Sequence, residues 1–246
     1  MRTYLLPLYA LLFLALARPA FAVDGVLEIN QTCAVQTGCF SGDTAGYPVT
    51  IDGTAGRSYR LTGDLIVPDE NTSGIVVSTS DIGIDLNNFT ITRSGCEGAA
   101  TDCTPASGFG TGVERDSPLN RGISVKNGSV TGMGFYGVRV GDQAEVSGLR
   151  VRWNRLDGIF AGTGSTVSDN TAYANGATGI VAGDGSTVQR NIVRSNAAYG
   201  LALGSEAAYR ENVITDNSMG AVFGLVGVNR GDNFCAGTGV VSSICP

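Results

Sequence analysis

The feature that most constrains this chain is a segment between Gly137 and Met219 that repeats itself every 21 residues. Three copies have 21 residues and the last has 20, and they read GVRVGDQAEVSGLRVRWNRLD, GIFAGTGSTVSDNTAYANGAT, GIVAGDGSTVQRNIVRSNAAY and GLALGSEAAYRENVITDNSM. A fixed period of this length, without heptads or helix caps, indicates a solenoid in which each copy packs only on its neighbours. A globular layered fold is therefore excluded for this part of the chain.

Each copy contains three short apolar segments with the alternation of β-strands. The apolar columns are Val138, Ile159, Ile180 and Leu201 with Val140, Ala161, Ala182 and Leu203 in the first strand, Val146, Val167, Val188 and Tyr209 in the second, and Val151, Ala172, Val193 and Ile214 in the third. Frequent glycines and β-branched residues, with no 3.6-residue spacing, argue against helical repeats. We therefore predict an all-β, single-stranded right-handed parallel β-helix with three short strands per coil.

Asparagine recurs at two fixed positions of the repeat, which is the most specific signal in the sequence. One column is Asn170, Asn191 and Asn212, and the other is Asn154, Asn175, Asn196 and Asn217. We expect these side chains to point inward at corners, to adopt left-handed backbone angles, and to bond to turn backbone and to the asparagine of the next coil. We interpret both columns as structural ladders rather than ligand sites.

The repeat suggests one domain at residues 23–246, preceded by a leader at 1–22. Its parts are an N-terminal cap with irregular coils (23–81), coils with a disulfide loop at 94–117 (82–136), four regular coils (137–219) and a C-terminal cap (220–246). The same strand pattern starts at Gly83 and again at Gly122. We interpret the segment between the two starts as one coil plus an insertion. Caps are expected because an open terminal coil exposes a strand edge.

The leader is typical of a secretory signal peptide. It combines Arg2, an apolar stretch interrupted by Pro7, and the small-x-small sequence at 20–22. We expect its removal rather than its retention as an anchor, and no other segment is apolar enough to span a bilayer. The sequence therefore predicts a secreted or periplasmic protein without a membrane span after cleavage.

The charge balance disfavours nucleic acid as a partner. Without the leader, 14 basic and 22 acidic side chains remain, a net charge of about −8. Phosphate backbones are bound by clustered lysine and arginine, and Lys126 is the only lysine. A polysaccharide held through hydrogen bonds is a better match, and the oligomeric state is left open.

Six cysteines form three close pairs, Cys33 with Cys39, Cys96 with Cys103, and Cys235 with Cys245. We predict three local disulfides, because short loops keep the partners together and exported chains staple loops in this way. Neither histidine nor a CxxC spacing occurs. We therefore predict no cofactor and no metal site, with calcium at an Asp-Gly turn left open.

The pattern GxGSTVxxNxxxxN, at 162–175 and 183–196, resembles repeats of right-handed parallel β-helix proteins of the pectate-lyase-like superfamily. The resemblance covers roughly residues 60–235 and is closest to exported bacterial chains without an assigned activity. The superfamily includes polysaccharide lyases, pectin-degrading hydrolases, uronan epimerases and sugar-binding periplasmic proteins. The resemblance therefore implies a carbohydrate ligand, by analogy of fold.

Two pairs of residues are candidates for catalysis. Asp142 and Asp184 share a repeat position two coils apart, about 9–10 Å, which would suit an inverting glycosidase. Aspartate is also a common turn former, which is the alternative interpretation. Arg115 and Arg121 flank Pro118 and resemble the arginine–proline–arginine motif of pectate lyases, with one residue too many before the proline. The alternative for this pair is an ordinary loop.

An outward strip on the third strand is the candidate ligand-binding site. Arg152, Tyr173, Arg194 and Thr215 follow one column, and Trp153 lies beside it. An aromatic face with guanidinium donors can hold a glycan along the rod by stacking and bidentate hydrogen bonds. The alternative interpretation is a row of solvated strand residues.

Three functions remain open at this stage. The absence of histidine and the single lysine favour a secreted, non-catalytic protein that binds polysaccharide or forms a surface structure. The first alternative is a polysaccharide lyase or glycoside hydrolase acting on an acidic glycan. The second is an adhesin-like module that binds other proteins. Converging acids in a groove would favour the enzyme, and an aromatic strip would favour the glycan binder.

Overall fold

The computed structural model describes residues 25–97, 103–105, 107–224, 227–237 and 245. The predicted leader lies outside these residues. The helix α1 spans Gln31–Gln36. The strands are β1 (Leu27–Ile29), β2 (Val49–Ile51), β3 (Ser58–Leu61), β4 (Leu65–Val67), β5 (Ile75–Val77), β6 (Gly83–Asp85), β7 (Thr90–Arg93), β8 (Val113–Arg115), β9 (Ser124–Thr131), β10 (Val138–Arg139), β11 (Glu145–Arg152), β12 (Ile159–Ala161), β13 (Thr166–Ser168), β14 (Thr171–Tyr173), β15 (Ile180–Ala182), β16 (Thr187–Gln189), β17 (Ile192–Arg194), β18 (Tyr199–Leu203), β19 (Ala208–Arg210), β20 (Val213–Thr215), β21 (Gly220–Phe223), β22 (Val228–Asn229) and β23 (Phe234–Ala236).

The strands wind into a solenoid of about eight coils with three faces. The first face is an eight-stranded sheet in the order β2-β5-β8-β10-β12-β15-β18-β21. A 15-stranded sheet carries both other faces: the second follows β1-β3-β6-β9-β11-β13-β16-β19-β22, and the third follows β4-β7-β9-β11-β14-β17-β20-β23. The predicted all-β parallel solenoid is confirmed. In two coils the second and third strands are fused into the eight-residue strands β9 and β11.

The regular coils stack in a constant register, with equivalent repeat positions paired. On the first face, Ile159 pairs with Val138 on one side and with Ile180 on the other. The predicted columns of the second and third strands pair in the same way. All these side chains are buried and form one continuous core. Apolar burial at about 25 cal/mol per Å² makes that core the main source of stability.

Two of the three corners of the regular coils combine a left-handed residue with an inward asparagine. Asp169 and Arg190 have φ of 60° and 54°, and each immediately precedes a ladder asparagine. The ladder asparagines themselves do not have positive φ, so the prediction that they adopt the left-handed angles is wrong. The preceding residue makes the turn, and the asparagine then bonds to the chain around it.

The two asparagine ladders make the predicted hydrogen bonds between coils. Asn170 donates from its backbone N–H and its side-chain amide to Oδ1 of Asn191, at 3.0 and 3.1 Å, and its amide also donates to the Val146 carbonyl at 2.9 Å. The same pattern repeats in the second ladder. Asn233 extends the first ladder by one coil beyond the predicted members, because its Oδ1 accepts from the N–H of Asn212.

The third corner carries a serine ladder that sequence reasoning missed. The backbone N–H of Ser165 donates to Oγ of Ser186 at 3.1 Å, and that of Ala144 donates to Oγ of Ser165 at 3.1 Å. Both hydroxyls also donate to glycine carbonyls of the preceding coil. The two middle regular coils therefore have a buried polar side chain at each of their three corners, which pairs backbone groups that the strands leave free. In the first coil Ala144 and Leu149 replace the serine and one asparagine, and in the fourth Ala207 replaces the serine.

Three boundaries differ from the sequence prediction. The predicted loop at 94–117 contains β8, so the insertion ends before Val113. Gly83 pairs with Ser124, two positions beyond Gly122, with which the sequence pattern aligned it. Both strands lie on the second face. The predicted C-terminal cap at 220–246 contains β21, β22 and β23, which add a further coil before the chain closes.

The ends of the solenoid and its main insertion carry the three predicted disulfides, Cys33–Cys39, Cys96–Cys103 and Cys235–Cys245. Helix α1 covers the N-terminal end and is capped by Asn30, whose Oδ1 accepts from the N–H of Cys33 at 3.1 Å. Within the described residues, no helix is long and apolar enough to cross a membrane.

Candidate functional site: a groove on the third face

The predicted ligand strip belongs to a longer outward column on the third face. Successive strand pairs align its members at the same position of each coil. In axial order they are Ile66, Thr92, Thr131, Arg152, Tyr173, Arg194 and Thr215. Six steps of about 4.8 Å give the column a length of about 29 Å. Its first three members were not identified from the sequence. Ile66 and Thr92 lie in coils of other lengths, whereas Thr131 lies 21 residues before Arg152 and could have been found by extending the column.

A groove of about 260 Å³ lies at the N-terminal half of this column. Its lining combines carboxylates, hydroxyls and one guanidinium, and consists of Asp64, Ile66, Thr90, Thr92, Cys96, Glu97, Thr131 and Arg152. Asp64 accepts from the N–H of Thr90 at 2.7 Å, and Glu97 accepts from the N–H of Gly95 at 2.7 Å. Both carboxylates are thus held by the backbone at the rim of the groove.

The floor of the groove contains a buried hydroxyl without a partner. Thr131 is 2% exposed, and its Oγ1 makes no hydrogen bond to any described residue. The neighbouring hydroxyl of Thr92 makes two contacts of 3.5 Å, to the carbonyls of Arg93 and Cys96. A buried hydroxyl left unpaired costs about 1–3 kcal/mol. Because this oxygen is buried, the unpaired hydroxyl is a cost to the fold and not a contact point for a ligand.

Two arginines of the column are stacked on aromatic rings, Arg152 at the C-terminal end of the groove and Arg194 two coils beyond it. The guanidinium of Arg152 lies 4.5 Å from the ring centre of Trp153, and that of Arg194 lies 4.8 Å from the ring centre of Tyr173. Neither guanidinium has an ion pair or hydrogen bond to the described residues. Stacking fixes the planes of the guanidinium groups and leaves their N–H edges free for carboxylate or hydroxyl oxygens.

Trp153 does not offer the exposed face that its sequence position suggests. It is 8% exposed and packs against the Cys96–Cys103 disulfide, with its ring centre 6.4 Å from that of Tyr173. Its φ is 55°, a conformation that bulky residues rarely adopt. The indole therefore supports Arg152 and the disulfide loop, while the half-buried Tyr173 is the aromatic ring of the strip that ligands can reach.

Asp142 and Asp184 lie in the corners that follow the first face, away from the groove. Oδ1 of Asp142 accepts from the N–H of Thr163 at 2.9 Å, and Oδ1 of Asp184 accepts from the N–H of Ser205 at 2.7 Å. Each carboxylate thus binds the backbone of the next coil. This geometry agrees with the turn-forming interpretation of both residues.

Arg115 and Arg121 belong to a loop beside Asp142, because the N–H of Gly122 donates to the Asp142 carbonyl at 2.9 Å. Asp184 lies two coils further along the solenoid. Arg115 donates from Nη1 to the Pro118 carbonyl at 2.8 Å, and its buried Nε has no partner among the described residues. Burial lowers the pKa of Arg115, and Arg139 lowers it further against the opposing influence of Asp142. The backbone N–H of Arg121 donates to Ser80 at 3.2 Å. The two arginines close and anchor a loop at 116–121.

No group of three or more acids or cysteines suited to a metal ion occurs in the parts of the chain that the structure describes.

Comparison with known proteins agrees with this architecture. The family model described as the right-handed β-helix region matches residues 73–235, which is more than half of the chain and includes all the regular coils. No curated protein and no solved structure matches the sequence. The predicted right hand is that of the matching family. The chain therefore belongs to the right-handed β-helix family.

Proposed function

We propose that this protein is an extracytoplasmic, non-catalytic polysaccharide-binding protein, and that the glycan lies along the groove and strip of the third face. The observation that carries the proposal is the alignment of the groove with the stacked arginines in one axial column. A linear polymer is the ligand class whose shape follows such a column. The predicted leader and the disulfides support a location outside the cytoplasm.

The chemistry of the column supports a saccharide ligand. The half-buried Thr90 supplies a hydroxyl, Asp64 supplies a carboxylate acceptor at the rim, and Arg152 and Arg194 supply N–H donors. Sugars present both donors and acceptors, and their apolar ring faces pack on aromatic rings such as Tyr173. About 29 Å of column is enough for several sugar units. The mixed charges allow a neutral chain or one with spaced carboxylates.

The proposal is tested by affinity electrophoresis in gels containing polygalacturonate, alginate, xylan or dextran. We expect retardation by at least one polymer, and a roughly tenfold loss of affinity for Arg194→Gln, about 1.4 kcal/mol. The matched control is Arg210→Gln, because Arg210 is also exposed but lies on the second face and bonds to Gln189. Equal losses in the two variants would show that only net charge matters and would refute the site.

A second candidate function follows from the two carboxylates at the groove. Asp64 and Glu97 line the same cavity, and glycoside hydrolysis uses a pair of acids across one groove. If the protein is a hydrolase, its catalytic acids are therefore Asp64 and Glu97 on the third face, and not Asp142 and Asp184. New reducing ends from a retained polysaccharide, lost in Glu97→Gln, would establish it.

A further inference from the structure

The first face carries an apolar surface that the proposed glycan groove does not use. Its strand column is Phe160, Val181, Ala202 and Phe223, and the adjacent corner column is Leu156, Ala177, Ala198 and Met219. All eight side chains are partly or fully exposed. The two columns are bulky at both ends and small in the middle. We call this surface the apolar saddle.

The walls of the saddle are reinforced by aromatic contacts. At the C-terminal wall, Phe223 and Met219 are each 57% exposed, and the ring of Tyr199 leans against Phe223 at 4.9 Å between centres. At the other wall, Phe160 contacts Tyr136 at 6.0 Å. Tyr199 thus adds to a wall rather than filling the floor, which is formed by alanines and Val181.

The dimensions of the saddle match an α-helix. Phe160 and Phe223 are three coils apart, so the wall centres are separated by about 14 Å. A helix with its side chains has a diameter of about 10–12 Å. A helix that crosses the solenoid axis would rest on the small residues of two coils, and its apolar side chains would meet the walls on either side.

The charges around the saddle indicate which charge a partner helix would carry. Exposed Asp184 and Glu206 lie in the corner that follows the first-face strands, and Asp157 lies beside Leu156. The sequence contains no lysine or arginine between Arg155 and Arg190, which is the stretch that forms one wall and half of the floor. Arg139 lies outside the Phe160 wall, because it pairs with Phe160 from the preceding coil, whereas the corner beside the floor carries Asp184 and Glu206. This corner edge is therefore acidic, and a partner complementary to it is basic.

We propose that the apolar saddle is a docking site for a basic amphipathic helix of a partner protein. The apolar face of the helix would cover the floor between Phe160 and Phe223, and lysine or arginine at its polar margin would meet Asp184 and Glu206. Binding of this kind uses apolar anchors for affinity and edge charges for orientation. The saddle and the glycan groove lie on different faces, so both can be occupied at once.

The probe is a fluorescently labelled 18-residue peptide of leucine and lysine arranged as an amphipathic helix. Its controls are a scrambled peptide of the same composition and a leucine–glutamate peptide of the same pattern. Fluorescence anisotropy with the purified chain should show binding of the first peptide only, at least tenfold tighter than the scrambled one. Equal affinity for the scrambled peptide would show that binding depends only on the net charge of the peptide, and would overturn the proposal.

The site itself is tested by Ala202→Phe, which fills the floor without changing charge. We expect at least a tenfold loss of affinity, and less than a twofold change for Ala208→Phe. Ala208 is the matched control because it is a half-buried alanine of the next strand in the chain, on the second face. Unchanged circular dichroism must accompany both variants, and Phe223→Ser provides a second test that removes a wall. Unaltered binding in Ala202→Phe and Phe223→Ser would refute the saddle.

The acidic edge is tested by the double variant Asp184→Asn and Glu206→Gln. Asparagine keeps the Oδ1 acceptor that binds the N–H of Ser205 at 2.7 Å, so the corner is preserved. We expect a three- to tenfold weaker affinity for the basic peptide and a weaker dependence on salt. A concentration-dependent dimer abolished by Ala202→Phe would assign the saddle to a second copy of this chain and overturn the proposal.

Discussion

Replacing Asn191 by alanine removes the centre of the first asparagine ladder. The residue is 1% exposed. Its Oδ1 accepts from the backbone N–H of Asn170 at 3.0 Å, and its amide donates to the Val167 carbonyl at 3.0 Å. The variant leaves both backbone groups without this partner. At about 1–3 kcal/mol for each buried group that becomes unpaired, the free energy of unfolding should fall by about 2–6 kcal/mol.

A loss of this size is a large part of the stability of a typical domain, about 5–15 kcal/mol. Urea unfolding followed by far-UV circular dichroism measures it, with the slope of the transition checked for constancy. Asn233→Ala is the comparison, because Asn233 is half-buried at the last coil and water can replace its bonds. Asn71→Ala, at an exposed position, is the neutral control. If Asn191→Ala lowers the free energy of unfolding no more than Asn233→Ala does, the hydrogen bonds of the ladder do not stabilise the fold as described.

Three further perturbations test the corners, the core and the site. Burial raises the pKa of the Asp157 carboxyl. The protonated carboxyl therefore stabilises the folded state below the ordinary aspartate pKa, and this stabilisation is lost as pH rises through the raised pKa. Asp157→Asn should raise the free energy of unfolding at pH 7 but not at pH 3, in parallel urea titrations. Gly179→Ala should lower the unfolding free energy by about 1–3 kcal/mol through overpacking, because its Cβ would meet the side chains of Val193 and Asn196 in its own coil and the Gly200 carbonyl of the next. Gly185→Asn, at φ +61° in open space, should change the unfolding free energy by less than about 0.5 kcal/mol. Replacing both cysteines of the Cys96 disulfide by serine should expose Trp153, the only tryptophan, and shift its fluorescence to the red, while an unshifted spectrum would contradict the packing described above.

The regular coils were predictable because their positions recur at a constant spacing. Val138, Ile159 and Ile180 stack as the alternation indicates. The coil that follows was assigned to the C-terminal cap, because its second strand places the polar Asn229 opposite Tyr209 and so interrupts the apolar column. Its ladder member Asn233 lies one full repeat after Asn212 and could have been found by extending the column.

The groove could not be derived from the repeat. Its walls come from coils of other lengths, because Leu65 pairs with Ile91 and Ile91 pairs with Val130. Only Arg152 belongs to a regular coil. The burial of Trp153 depends on a disulfide loop that is distant in sequence, so its column position alone suggested an exposed ring. Contacts between segments that are distant in the sequence determine the chemistry of such a site, and they produce no periodic pattern in the sequence.

The central claim is that the third face retains a polysaccharide without cleaving it. The most direct measurement incubates the purified chain with acidic and neutral polysaccharides, with and without calcium, and follows binding, unsaturated uronide absorbance and new reducing ends in the same samples. We expect retention of at least one polymer, weakened by Tyr173→Ala, with no product. Product from any polymer would contradict the non-catalytic assignment, and absence of retention across the panel would contradict the binding function itself.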